Sequence, residues 1–288
     1  MNDVPTRGVP SAHIGFHVSI AGGLPGSVDR ALERDCTAFQ IFCGNPRGWK
    51  LQDRGSDELE RFRRDRKEAD LRPLAVHACY LINPCSQDET VLYRSVRRLT
   101  AELELSAEMG AELYVLHPGS HKGRPLSWGL HRAKETIGRA LAEAKSRPTL
   151  LLEDTASAHG PGGSLETLGA LIHSLDGDSI GVALDSCHLF GAGYDLTSED
   201  EVDRLVEELE AHVGLARVKL LHVNDSRDPP GSRRDRHTHI GKGTIGKEGL
   251  RNFLNHPAFR DRPKILETPW ESVETDLRNL RAIMDLLR

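Results

Sequence analysis

The 288 residues, 38% hydrophobic and 28% charged, suffice for one large globular domain and exclude a disulfide miniprotein, a fibrous chain or a disordered one. A net charge of −5 excludes gripping polyanions by bulk charge, so any contact with nucleic acid has to come from a local patch. Cys36, Cys43, Cys79, Cys85 and Cys187 form no CxxC pair and read as reduced thiols of a cytoplasmic protein. No apolar run is long enough for a membrane span, and no cationic apolar leader is expected where Asp3 and Pro5 stand.

Residues 1–12, with Pro5, Gly8 and Pro10, read as a flexible N-terminal tail, and 13–288 as a single domain. From there short β-rich runs alternate with segments patterned for helices. A strand at 15–19 precedes a helix at 27–34, then 38–42 precedes 56–69, 73–76 precedes 90–109, and 113–116 precedes 127–145. The alternation continues with 149–152 and 165–175, 180–184 and 199–213, 218–221 and 247–255, and 264–266 and 273–287. This is an α/β chain, and eight such units are the proportion of a single (β/α)8 TIM barrel. An open doubly wound sheet fits less well, because no GxGxxG turn comes after the first strand. The run Arg61, Arg63, Arg64, Arg66 and Lys67, interleaved with Glu60, Asp65 and Glu68, reads as a solvated helix face with i,i+4 pairs.

The chemistry lies at the ends of the apolar runs. Successive runs end in His77, His117, Glu153, Asp185, His222 and Glu267, each about one βα unit after the last. One strand-end acid or imidazole is more often a helix cap or a satisfied polar group. Six in register would converge on the C-terminal mouth of a barrel, where that fold places its active site. His188, three residues after Asp185, and the pair Asp235 and His237 bring the candidate ligands to nine. Imidazole and carboxylate without thiolate suit Zn, Mn or Fe at a catalytic site, and nine donors are enough for two or three ions with one carboxylate shared. Such ions outweigh the four carboxylates and favour an anionic substrate, with a phosphodiester the best match to multi-metal chemistry. The other histidines read mostly as surface or capping residues, with His239 the competitor of His237 and His17 a supporting residue on the first strand. Cys79 and Cys187 adjoin ligands but read as small buried fillers.

Several strings resemble the endonuclease IV family of apurinic/apyrimidinic endonucleases. They are His77-Ala78-Cys79-Tyr80-Leu81-Ile82-Asn83, Leu116-His117-Pro118-Gly119-Ser120-His121, Leu184-Asp185-Ser186-Cys187-His188 and Gly231-Ser232-Arg233-Arg234-Asp235-Arg236-His237, with Ile240-Gly241-Lys242-Gly243 after the last. Gly15-Phe16-His17-Val18-Ser19 and Leu266-Glu267-Thr268 extend the match over nearly the whole chain. The resemblance implies a zinc-dependent endonuclease of base excision repair that hydrolyses the phosphodiester 5′ to an abasic site, leaving a 3′-hydroxyl and a 5′-deoxyribose phosphate, and that trims blocked 3′ termini. It implies three zinc ions per chain, with Mn2+ admissible at one position. The first would be held by His77, His117 and Glu153, the second by Glu153, Asp185, His222 and Glu267, and the third by His188, Asp235 and His237. Glu153 and Glu267 would be the catalytic carboxylates. Arg47, Tyr80 and Leu81 would contact double-stranded DNA at the lesion, where an abasic nucleotide is turned out of the stack at reduced cost. Apart from the resemblance, Tyr80 reads equally as a packed aromatic and Arg47 as a surface charge. A monomer with no membrane association is expected. Gly48, Pro84-Cys85 and the loop at 157–163 depart from the family pattern and bear on lesion grip rather than on the ligands. The rival reading is a metal-dependent sugar isomerase or epimerase, for which Glu153, Asp185, His222 and Glu267 alone would serve.

Overall fold

The computed structural model describes residues 13–175 and 180–287, so the expected tail at 1–12 lies outside the described residues. Strands β1 (Ile14–His17), β2 (Ala38–Phe42), β3 (Leu74–His77), β4 (Leu113–Leu116), β5 (Thr149–Glu153), β6 (Ile180–Asp185) and β7 (Val218–His222) run in chain order, and two short strands, β8 (Asp225–Ser226) and β9 (His237–Thr238), precede β10 (Lys264–Leu266). The helices are α1 (Pro25–Leu32), α2 (Ser56–Glu68), α3 (Glu89–Glu108), α4 (Leu126–Glu143), α5 (Leu165–Ser174), α6 (Ser186–Ala192), α7 (Glu199–His212), α8 (Gly246–Asn255) and α9 (Val273–Leu286). Strands β1 to β7 and β10 form a closed barrel, parallel throughout, in which β1 pairs with both β2 and β10. This is the TIM barrel the alternation predicts.

Inside it sits a compact cluster of small and branched side chains, Ala38, Ala75, Leu113, Val115, Leu151, Ala183, Leu220 and Ile265. A larger apolar shell, from Phe16 and Phe39 to Phe253 and Ile283, lies between strands and helices. Phe62 of α2 is fully buried edge-on to Phe39, with ring centroids 6.4 Å apart. At β1 the barrel wall is so close that a Cβ on Gly15 would stand 1.7 Å from the Ala38 carbonyl oxygen, so only glycine fits.

Strand side chains alternate faces, and this places the site. Two residues beyond Ala75, Val115, Leu151, Ala183, Leu220 and Ile265 come His77, His117, Glu153, Asp185, His222 and Glu267. The candidate ligands therefore continue the inward face of the barrel as its topmost layer.

The first and last helices are joined by a buried ion pair, Arg34 Nε to Asp276 at 2.8 Å, just beyond α1 and within α9. Arg34→Met should leave the Asp276 carboxylate buried without its cation and cost about 3 kcal/mol in a urea melt. Unchanged stability would mean that solvent reaches the acid.

Two details differ from the sequence reading. A seven-residue helix, α6, starts directly at Asp185, and the pair β8 and β9 forms a small antiparallel ribbon; both are too short to leave a periodic signal. The basic run on α2 does pair along the helix, Arg61 with Asp65, but Arg66 also crosses to Glu112 at 2.8 Å. Among the described residues no helix is long and apolar enough to cross a membrane.

Candidate metal centre

All nine candidate ligands gather in one basin at the mouth of the barrel. Donor atoms of His77, His117 and Glu153 lie within 4.8 Å of one another, as do those of Glu153, Asp185, His222 and Glu267, and those of Asp185, His188 and His237. Asp235 reaches in from the loop before β9, with one carboxylate oxygen 3.1 Å from His188 Nε2 and the other 3.1 Å from His237 Nε2. Glu153 belongs to two of these groups, and Asp185 also belongs to two. The geometry thus makes Asp185 a second candidate for a shared carboxylate. Asp185 also caps α6, accepting from the Cys187 and His188 amides at 2.6 and 3.1 Å, so the cap and ligand readings of a strand-end acid hold together. That cap turns His188 back over the basin.

The imidazoles are held in defined orientations. His77 Nδ1 is 2.9 Å from the Ala78 carbonyl, His188 Nδ1 is 3.0 Å from that of Asp154, and His237 Nδ1 is 3.2 Å from that of Glu267. A carbonyl only accepts, so each ring carries its proton on Nδ1 and turns Nε2 to the basin, the arrangement in which metal-bound histidines are oriented. Facing them, Glu153 Oε2 lies 3.3 Å from His77 Nε2 and 3.0 Å from His117 Nε2, yet it is buried without a hydrogen bond, as is His237 Nε2. Buried donor atoms left without a hydrogen-bond partner in this way call for a further group among them, and a cation satisfies both an imidazole nitrogen and a carboxylate oxygen.

The electrostatics agree. Burial opposes ionisation of Glu153, but His222 and His117 outweigh it and hold the carboxyl well below its usual range. Burial would likewise depress His222, but Glu267 and Glu153 raise it to about 10; His237, buried yet facing Asp185 and Asp235, rises to about 9. Without other cations the basin draws protons onto its imidazoles, which is the field a divalent ion would meet. Burial, reinforced by Asp185, pushes the Cys187 thiol up to about 12, and the Cys187 sulfur, read from the sequence as a small buried filler, lies within 4.8 Å of donor atoms of Asp235 and His237.

Three supporting residues escaped the sequence reading. Gln40, fully buried on β2, accepts from His222 Nε2 at 2.9 Å and donates to Glu267 at 2.6 Å, with His17 3.0 Å away. Asn224 donates to Asp185 at 2.7 Å and accepts the Glu267 amide at 2.9 Å. Asp225 accepts the amides of Gly243, Ile245 and Gly246 and so anchors the 241–246 turn; a Cβ on Gly243 would stand 2.2 Å from the Ser226 carbonyl oxygen. Gln40 and Asn224 are uncharged and mark no motif, although Gln40 stands two residues after inward-facing Ala38 and could have been found by that parity. His17 does stand beside Glu267, at 3.2 Å, while His239 pairs with Glu271 outside the basin. His121 is buried beneath Gly129 rather than lying on the surface.

The basin opens into a cavity of about 850 Å³ lined by Trp49, Tyr80 and Leu81 together with His117, His188 and Asp235. Tyr80 is 58% exposed, its ring 5.1 Å from that of Phe42 and 5.8 Å from that of His77, so it stands as an aromatic prow directly over the ligands. Leu81 is half-buried against the core, and Arg47 is exposed on the next rim loop, with its amide held by Asn45. A third rim aromatic, Trp270, is 71% exposed beyond Glu267.

The family model of the xylose isomerase-like TIM barrel matches residues 28–288. A protein of Halothermothrix orenii named probable endonuclease 4 is 42% identical over 258 residues, covering 89% of this chain and 93% of its own length. The crystal structure of endonuclease IV from Thermus thermophilus superposes with a TM-score of 0.85 at 39% identity, covering 95% of this chain and 98% of that one. A D-tagatose 3-epimerase-like protein superposes with a TM-score of 0.71 at 20% identity, covering 94% and 96%, a likeness of fold alone.

Proposed function

The chain belongs to the endonuclease IV family, and from that membership we propose that it is an endonuclease of DNA repair which hydrolyses the phosphodiester 5′ to abasic sites in duplex DNA, releasing 3′-hydroxyl and 5′-deoxyribose phosphate ends. Trimming of blocked 3′ termini is the same hydrolysis at a strand end. The observation that carries the reading is the buried Glu153 Oε2, left without a hydrogen bond although His77 Nε2 and His117 Nε2 stand 3.3 and 3.0 Å away.

The donor set fits zinc. His77, His117 and Glu153 would hold one ion, Glu153, Asp185, His222 and Glu267 a second, and His188, Asp235 and His237 a third, with Mn2+ acceptable at one of them. Ions bound there would supply a water acidic enough to ionise near neutral pH and would neutralise charge on the phosphoryl and departing oxygens. The protein's own part is to fix the imidazole tautomers through backbone carbonyls and to hold Glu267 through Gln40 and His17. It also keeps Glu153 ionised while buried. Tyr80, Leu81 and Arg47 on the rim would fill the space of the missing base. A cytoplasmic monomer suffices for this work. The isomerase reading employs four of the nine donors and leaves idle five that stand around the same cavity.

The test is a duplex bearing one abasic site. We expect a single nick 5′ to the lesion, abolished by a strong chelator and restored by zinc; an intact strand under all conditions would overturn the reading. Tyr80→Ala should weaken lesion binding by roughly 1–3 kcal/mol, the worth of one aromatic stack, with metal content unchanged. Loss of zinc from that variant would make Tyr80 structural.

A further inference from the structure

Trp49 has a second groove on its far side, about 590 Å³ in volume, lined also by Lys50, Tyr93, Arg94, Arg97 and Arg98. Its floor is Arg98 of α3, which is 3% exposed. The Arg98 Nε donates to Glu102 at 2.7 Å, but the other Glu102 oxygen is taken by the Cys79 amide and the Tyr114 hydroxyl, and Arg98 Nη1 and Nη2 are buried with no acceptor among the described residues. Solvent does not reach these two nitrogens, so Arg98 lies beneath the groove and does not touch what the groove holds. Above them the Arg94 guanidinium lies 6.0 Å over the Trp49 ring and that of Arg97 6.0 Å over the Tyr93 ring. Among the described residues neither arginine, nor Lys50, has a carboxylate within ion-pair distance, and no acid lines the groove, although the chain as a whole is acidic. Its height is set by Gly44, two residues beyond the end of β2, where a Cβ would stand 3.0 Å from Arg98 Nη2. The groove shares Trp49 with the cavity over the basin and so adjoins the barrel mouth.

We propose that this groove binds a backbone phosphate of the DNA beside the basin, with Arg94 and Arg97, held ready on their aromatic rings, as its donors. The proposal rests on the reading of the basin as a nuclease site. Guanidinium groups match phosphate oxygens two at a time, which a lysine cluster would not do.

The test measures binding of an abasic 30-base-pair duplex in the presence of chelator at several salt concentrations, for the whole chain and for the exposed double variant Arg94→Ala/Arg97→Ala. The groove takes one phosphate, so losing it should lower the slope of log Kd against log salt by about one, and the double variant should bind about tenfold more weakly at moderate salt. The same loss should appear in KM rather than in kcat when the metal is present. A double variant with wild-type slope and affinity, alongside a wild type that nicks, overturns the groove and leaves the nuclease reading standing. A wild type that neither binds nor nicks abasic DNA overturns both.

Discussion

Glu153→Gln should fold, lose metal and lose nicking of abasic duplex by about a thousandfold or more, the equivalent of the several kcal/mol that metal ions contribute at about 1.36 kcal/mol per decade. The size of the effect comes from position. Glu153 is fully buried at the end of β5, with one oxygen 2.9 Å from His222 and the other facing His77 and His117, so one amide replacement disturbs two of the donor groups at once. Glutamine also replaces the negative charge that a cation would meet with a neutral amide. Glu267→Gln should be the milder change, because Glu267 belongs to one group and its side chain is 18% exposed. The checks are metal content by mass spectrometry, a thermal melt and single-turnover nicking. Equal turnover in wild type and Glu153→Gln would remove Glu153 from the centre of the mechanism.

Much of this arrangement is legible in the sequence because a barrel strand has a period of two and a fixed direction. Once Ala75-Val76 or Leu150-Leu151-Leu152 is read as a strand, the polar residue that ends it must sit at the mouth, and alternation decides whether it faces inward. The groups that escaped are those whose role depends on distant neighbours. Gln40 matters only because His222 and Glu267, 182 and 227 residues away in sequence, arrive on its amide. Arg98 is one charge among several on α3, and nothing local says that it is buried with two nitrogens to spare. The helix that turns His188 over the basin is seven residues long and continues from its strand without a loop, so it leaves no break to read. The ribbon of β8 and β9 that carries His237 back to the basin has two residues per strand. Asp225 of that ribbon anchors a turn 18 to 21 residues further on by collecting the amides of Gly243, Ile245 and Gly246.

Gln40→Leu should keep the fold and cost about 10- to 100-fold in metal affinity or turnover, the usual penalty for removing a group that orients a metal ligand. Gln40 faces into the barrel one layer above Ala38, and leucine is of similar size and apolar, so the change removes two hydrogen bonds without opening a cavity. The amide oxygen holds the proton of His222 on Nε2, which leaves Nδ1 to face Glu153 at 2.9 Å and Glu267 at 3.5 Å. The amide nitrogen, at 2.6 Å, fixes one oxygen of Glu267 and so turns the other toward the basin. Losing both frees the imidazole to exchange tautomers and the carboxylate to rotate. The defect should therefore fall on the ion bound by Glu153, Asp185, His222 and Glu267, sparing the group around His77 and His117. Titration against a chromophoric chelator separates these cases: one weakened zinc with the others retained is the expected result. Undiminished affinity for every ion, together with normal nicking, would reduce Gln40 to a filler of the barrel core.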